Sequence, residues 1–163
     1  MTGAKKHDKA IIVRADSAER TRQAKTLFEE YARSLTFGLE FQDFDEEMRN
    51  FPGDYSPPSG SLLLALIDDL AVGCVALRSL SDDTCEMKRL YVKPRFRGLR
   101  LGRRLAKAII DEARRIGYAR MRLDAIRSMK AAVELYTTLG FKEIPPYRHN
   151  PIEGAVFLEL VLV

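Results

Sequence analysis

Four arginines, Arg95, Arg97, Arg100 and Arg103, crowd around Gly98 and Gly102 where a strand-like segment, Thr84 to Val92, gives way to a helical one. Leu101, Leu105, Ala108, Ile109, Ala113 and Ile116 recur every three or four residues, so a helix with one apolar stripe is predicted to begin near Leu99 or Arg100. Its first N–H groups lack intrahelical acceptors and its leading end carries partial positive charge. The two glycines leave room for an anion to approach the backbone. Such a turn can hold a phosphate group.

The wider charge distribution points the same way. Between Lys88 and Lys130 stand 15 Lys and Arg against Asp111, Glu112 and Asp124, whereas the rest of the chain carries 12 basic and 20 acidic residues. The formal net charge of +4 therefore conceals a basic half suited to a polyanionic ligand, either a nucleotide-bearing cofactor or a nucleic acid. Nucleic acid is the weaker choice, because the stretch lacks the interleaved exposed aromatics and recognised motif of such modules. Arg114, Arg115, Arg120 and Arg122 are also explained by a solvated surface. His7 and His149 are the only histidines and Cys74 and Cys85 the only cysteines, so spacing assembles no metal-ligand cluster. Both thiols read as reduced and buried in strands.

Two segments carry a family resemblance. Arg97-Gly98-Leu99-Arg100-Leu101-Gly102 resembles the Arg/Gln-x-x-Gly-x-Gly/Ala cofactor motif of the GNAT superfamily of acyl-CoA-dependent N-acetyltransferases, with Arg100 where the family often has glycine. Downstream, Ala131 to Phe141, which contains Tyr136 and Gly140, is similar to the family's Ala-x-x-x-Tyr-x-x-x-Gly-Phe segment. The resemblance extends over residues 10–163.

It implies transfer of an acetyl group from acetyl-CoA to a primary amine. Arg97, Gly98, Leu99, Arg100, Leu101, Gly102 and Arg103 would hold the CoA pyrophosphate. Main-chain N–H groups of Leu90, Tyr91 or Val92 would polarise the thioester carbonyl, and Tyr136 would return a proton to the departing thiolate. Glu86 lies on the strand where members often carry a base, and is the carboxylate expected to take the amine's proton, directly or through water. Asp124, at the end of the neighbouring strand, competes for that role. Members commonly place an Asn around position 129, where it touches the pantetheine, but this chain has Ser128-Met129. The acceptor pocket would be built from the first two helices and the loop 145–151. Glu40, Asp43, Asp45, Glu46, Glu47 and Asp54 there face a lone Arg49, which would attract a cationic amine. Tyr147, Arg148 and His149 could reach it from the loop.

These residues must be positioned by alternating elements. A strand at Ile11 to Val13 precedes a helix capped by Asp16 or Ser17, and a second short helix covers Asp43 to Asn50. Ser61 to Asp68 and Ala71 to Arg78 read as a hairpin joined at Asp68-Asp69, followed by the strand Thr84 to Val92. Gly117 stops the long helix, Tyr118 to Ala125 alternates as a strand, and Ser128 is the expected cap of the helix bearing Tyr136. Phe141 to Ile144 and Gly154 to Val163 complete the chain. The order β-α-α-β-β-β-α-β-α-β-β predicts an α/β fold with a mixed (α+β) sheet. A βαβ crossover makes its two central strands parallel, and the resemblance implies that they splay to admit the pantetheine arm.

At 163 residues the chain suits one domain, residues 10–163, behind a polar tail at 1–9. Its longest apolar run, Leu62 to Ile67, is too short for a membrane span of roughly 20 residues. No signal peptide is visible, and a cytoplasmic protein is expected. The partners expected are acetyl-CoA as cosubstrate and a small-molecule or peptide amine, with no nucleic acid and no membrane; a homodimer is compatible with this. The competing function is a non-catalytic CoA-binding regulatory module on the same scaffold.

Overall fold

The computed structural model describes residues 9–35, 38–39 and 43–163; residues 1–8 of the expected tail and Glu40 lie outside the described residues. The elements follow the predicted order. They are β1 (Ile11–Arg14), α1 (Ala18–Ser34), α2 (Phe44–Arg49), β2 (Ser61–Ile67), β3 (Leu70–Ser79), β4 (Thr84–Val92), α3 (Leu101–Ile116), β5 (Arg120–Ile126), α4 (Lys130–Thr138), β6 (Lys142–Ile144) and β7 (Ala155–Val161). Short 3₁₀ turns sit at Gly53–Tyr55 and Pro94–Phe96.

Local chemistry accounts for most boundaries. Ser17 caps α1 by accepting the Arg20 N–H at 3.1 Å. Asp68 and Asp69 both adopt left-handed backbone angles, which the tight β2–β3 hairpin requires. Gly117 closes α3 at φ +109°, a conformation that costs a glycine little. The expected Ser128 cap is not formed. The Met129 N–H bonds back to the Ile126 carbonyl at 2.8 Å, so this turn makes Met129 the residue that precedes α4.

Seven strands form one mixed sheet in the order β1-β2-β3-β4-β5-β7-β6. Its two faces bury separate apolar clusters. On one face, Leu101, Leu105, Ile109 and Ala113 of α3 interleave with Leu63, Val75, Met87 and Met121, and Tyr136 of α4 joins them. On the other, Ala24, Leu27 and Phe28 of α1 and Met48 of α2 cover Leu62, Leu64, Cys74 and Ala76. Each fully buried Leu or Ile adds about 1.5–3 kcal/mol of transfer free energy. Cys74 and Cys85 are free and buried in β3 and β4, as expected.

Only β4 and β5 are parallel neighbours, and they pair over just three positions: Thr84 with Arg120, Cys85 with Met121 and Glu86 with Arg122. Beyond those positions the strands part. At the same level the register of β4 against β3 slips, and Arg89 sits at φ +62°. This bulge adds a residue to β4 and bends it away from β5.

Candidate active site

The fork left by β4 and β5 opens into a cavity lined from both strands, by Lys88 and Leu90 on one side and Asp124 and Ala125 on the other. Main-chain donors and acceptors of the parted segments have no ladder partner across it, so they are available to a ligand. Tyr31, Leu90, Met129 and Tyr136 line this cavity and also a larger cleft of about 770 Å³ beside it. The two spaces are therefore continuous at these four side chains.

The larger cleft leads to the start of α3. Leu90, Tyr91 and Val92 line its β4 wall, and Arg97, Gly98, Arg100, Leu101 and Gly102 line its end. The Arg104 N–H reaches the Arg100 carbonyl at 3.1 Å, so the amides of Leu101, Gly102 and Arg103 precede the helical ladder. Gly98 lies at φ +88°, and a β-carbon added to Gly102 would meet only Leu135 Cδ2, at 4.0 Å across the cleft. Any larger side chain would grow into that gap. Arg100 occupies the left-handed position before α3, at φ +61°, and gives no side-chain cap, so the departure from the family glycine leaves the helix end open.

Two of the expected cradle residues have side chains engaged outside the cleft. Leu99 is absent from the cleft wall and packs against the apolar core. Arg103 donates from Nη1 to Thr138 Oγ1 at 3.1 Å, tying α3 to α4. Arg97 is steadied by its Nε–H bond to the Val92 carbonyl at 3.0 Å and by the Tyr91 ring beneath it. The Tyr91 hydroxyl donates to Glu30 Oε2 at 2.7 Å.

The two candidate bases differ sharply in surroundings. Glu86 is fully buried, and both of its oxygens are engaged. Oε1 accepts from Arg78 Nε at 3.0 Å, while Oε2 accepts from the Tyr147 hydroxyl at 2.7 Å and contacts Arg148. Asp124 faces the fork cavity and accepts one bond, at 3.0 Å, from the Asn150 amide. Arg127, three residues further on, pairs instead with Glu143. Tyr136 is buried against Phe141, and burial raises its pKa, so its hydroxyl keeps its proton at neutral pH.

Sequence reasoning passed over Tyr31, Arg78, Lys88 and Asn150. Lys88 is buried in the fork with its Nζ 4.0 Å from Glu86 Oε1, and its pKa is lowered to about 7, first by burial and then by the charge of Arg89. Its signal was its position two residues after Glu86, which puts both side chains on the same face of β4. Arg89 is buried too, and is held by a two-toothed pair with Glu47 of α2, at 2.9 and 3.1 Å.

Comparison with known proteins places these features in one family. An uncharacterised N-acetyltransferase of Schizosaccharomyces pombe is 43% identical over 138 residues, covering 83% of this chain and 85% of that one. An N-acetylaspartate synthetase of Danio rerio is 30% identical over 121 residues, covering 68% of this chain and 43% of that one. In fold, yncA of Salmonella typhimurium, solved with its cofactor acetyl-CoA, superposes with a TM-score of 0.66 at 22% identity and 95% coverage of both chains. No helix among the described residues is long and apolar enough to cross a membrane. The model of the acetyltransferase (GNAT) family matches residues 24–141, and the chain belongs to that family.

Proposed function

We propose that the protein transfers an acetyl group from acetyl-CoA to a primary amine. The observation that carries this reading is the continuity of the cleft. It runs from the open amides at the start of α3, along the β4 edge at Leu90 to Val92, to Tyr136 and into the fork where Asp124 stands. The volume of about 770 Å³ falls in the usual range for a cofactor site. The gap over Gly102 and the arginines around Gly98 suit a pyrophosphate. When bound, acetyl-CoA supplies the thioester.

The chain's own residues handle the protons and the charge. Tyr136 holds a proton at the junction of the two cavities, where a departing thiolate could accept it. The unladdered N–H groups near Leu90 are suited to the thioester oxygen. The amine must lose a proton, and Glu86 was the carboxylate expected to take it. With both oxygens of Glu86 already engaged, the geometry favours Asp124, which faces the fork and accepts only from Asn150 among the described residues. Glu86 then serves to hold Arg78, Tyr147 and Arg148 in place.

The test is release of free thiol when acetyl-CoA is mixed with a panel of amines. Acceptor-dependent release is expected. Tight CoA binding with no release for any amine would leave the regulatory CoA-binding module as the better reading.

A further inference from the structure

On the sheet face covered by α1 and α2, one carboxylate is shared by two guanidinium groups. Glu86 meets Arg78, Arg148 and, at 4.0 Å, Lys88. A guanidinium presents five N–H donors in a fixed fork. Arg78 and Arg148 each place one nitrogen on Glu86, and the rest of each fork is not spent on it. Burial, and then the charge of Arg78, lower the Arg148 pKa to about 10, so the two cations strain against each other. A second anion, beside Glu86, would relieve that repulsion.

There is room for one. Arg78 and Arg148, both partly exposed, line a cavity of about 400 Å³ whose remaining wall includes the exposed carboxylates Asp43, Glu46 and Asp54. Glu47 lines it too, but its charge is met by Arg89, which in turn lines the fork cavity. The Glu47–Arg89 pair is thus a wall shared by the two spaces. The loop that delivers Arg148 also delivers Asn150, which holds Asp124 in the fork. One loop therefore carries both Arg148 and, two positions on, the residue that holds Asp124.

We propose, resting on the acetyltransferase reading, that Arg78 and Arg148 bind a carboxylate of the acceptor, so that the amine substrate is an amino acid whose ammonium group points toward Asp124. A polyanion is disfavoured by the acidic wall, and a simple cationic amine would leave the two arginines with Glu86 alone as their counter-charge. A zwitterion satisfies both ends. The carboxylate forms charge-assisted, fork-matched hydrogen bonds of the kind that arginine makes best.

The experiment compares amino acids with their carboxamides as acceptors, reading kcat/KM from thiol release at saturating acetyl-CoA. Wild type should prefer the acid form by tenfold or more, mainly through KM. In Arg148→Gln and Arg78→Gln the acid-to-amide ratio should fall toward one, with Arg148→Lys in between. Loss of packing alone would lower both substrates together and leave the ratio standing, which would overturn the proposal. So would equal use of acid and amide by wild type, a result that needs no variant to fold. If no acceptor releases thiol, the transferase reading fails separately. Calorimetry of amino acid against amide on CoA-loaded protein then decides, with preference for the acid supporting the arginine site and indifference discarding it.

Discussion

Glu86 and Arg122 are the last residues at which β4 and β5 face each other in register, and the cavity of the candidate site opens beyond their parting. Below that pair the strands share a ladder, and Arg122 is held from β7 by Glu159 at 2.8 Å. Above it the bulge at Arg89 bends β4 aside, and the freed edges line a cavity. A buried carboxylate at the crotch of the fork, clasped by two arginines, ties β3, β4 and the loop after β6 together.

The start of α3 should dominate cofactor affinity. Gly102→Val fills the gap toward Leu135 and is expected to abolish detectable CoA binding in calorimetry. Arg97→Ala removes a charge-assisted contact of roughly 1.5–3 kcal/mol and should weaken binding by about tenfold or more. Arg103→Ala, whose guanidinium is tied toward α4 by its bond to Thr138, should change CoA affinity less than Arg97→Ala.

Tyr136→Phe deletes one hydroxyl from a ring held by Phe141. Acetyl-CoA affinity and melting temperature should stay near wild type while turnover falls by about 10²-fold, the effect expected of a lost general acid. Equal turnover would make Tyr136 a core aromatic only.

The two carboxylates should separate by readout. Asp124→Asn is expected to lower kcat/KM by roughly 10²–10⁴ and to shift the acidic limb of the pH profile, with little change in unfolding midpoint. Glu86→Gln breaks a buried pair and should cost stability of about 3 kcal/mol, visible in urea denaturation. If instead Glu86→Gln unfolds like wild type and loses the acidic limb, Glu86 is the base.

Stability should fall in acid through Glu112. Its desolvation is outweighed by hydrogen bonds from Arg14, Arg115 and Ser61, which hold its pKa down at about 2. The unfolded carboxylate titrates near its ordinary value, about 4.3. The stabilisation is therefore complete above that pH and is lost as the pH falls toward 2. Glu112→Gln should be less stable than wild type at pH 7, by about 1 kcal/mol after allowance for solvent screening, and the gap should close by pH 2 to 3 in urea titrations. A gap that stays constant with pH would remove the charge from the account.

Elements whose signals are local were legible in the chain. The apolar stripe of α3, the β2–β3 hairpin at Asp68-Asp69 and all of Thr84–Val92 follow from spacing and turn chemistry between near neighbours. The open amides at the start of α3 also follow, because a helix N-terminus is unsatisfied wherever it lies. Ser128 shows the limit even locally, since a single backbone bond from Met129 to Ile126 displaced an otherwise good cap. The fork was legible only through the family resemblance, because it depends on where two strands, 36 residues apart at Thr84 and Arg120, stop sharing hydrogen bonds, and no side-chain pattern records that event. The same holds for Glu86. A carboxylate in an alternating strand looks the same whether it faces solvent or two arginines, and only the closing of the loop that carries Tyr147 and Arg148 over β4 decided its surroundings. Charges in the interior are set by who arrives from distant parts of the chain, and burial then turns those arrivals into the large electrostatic effects that define the site.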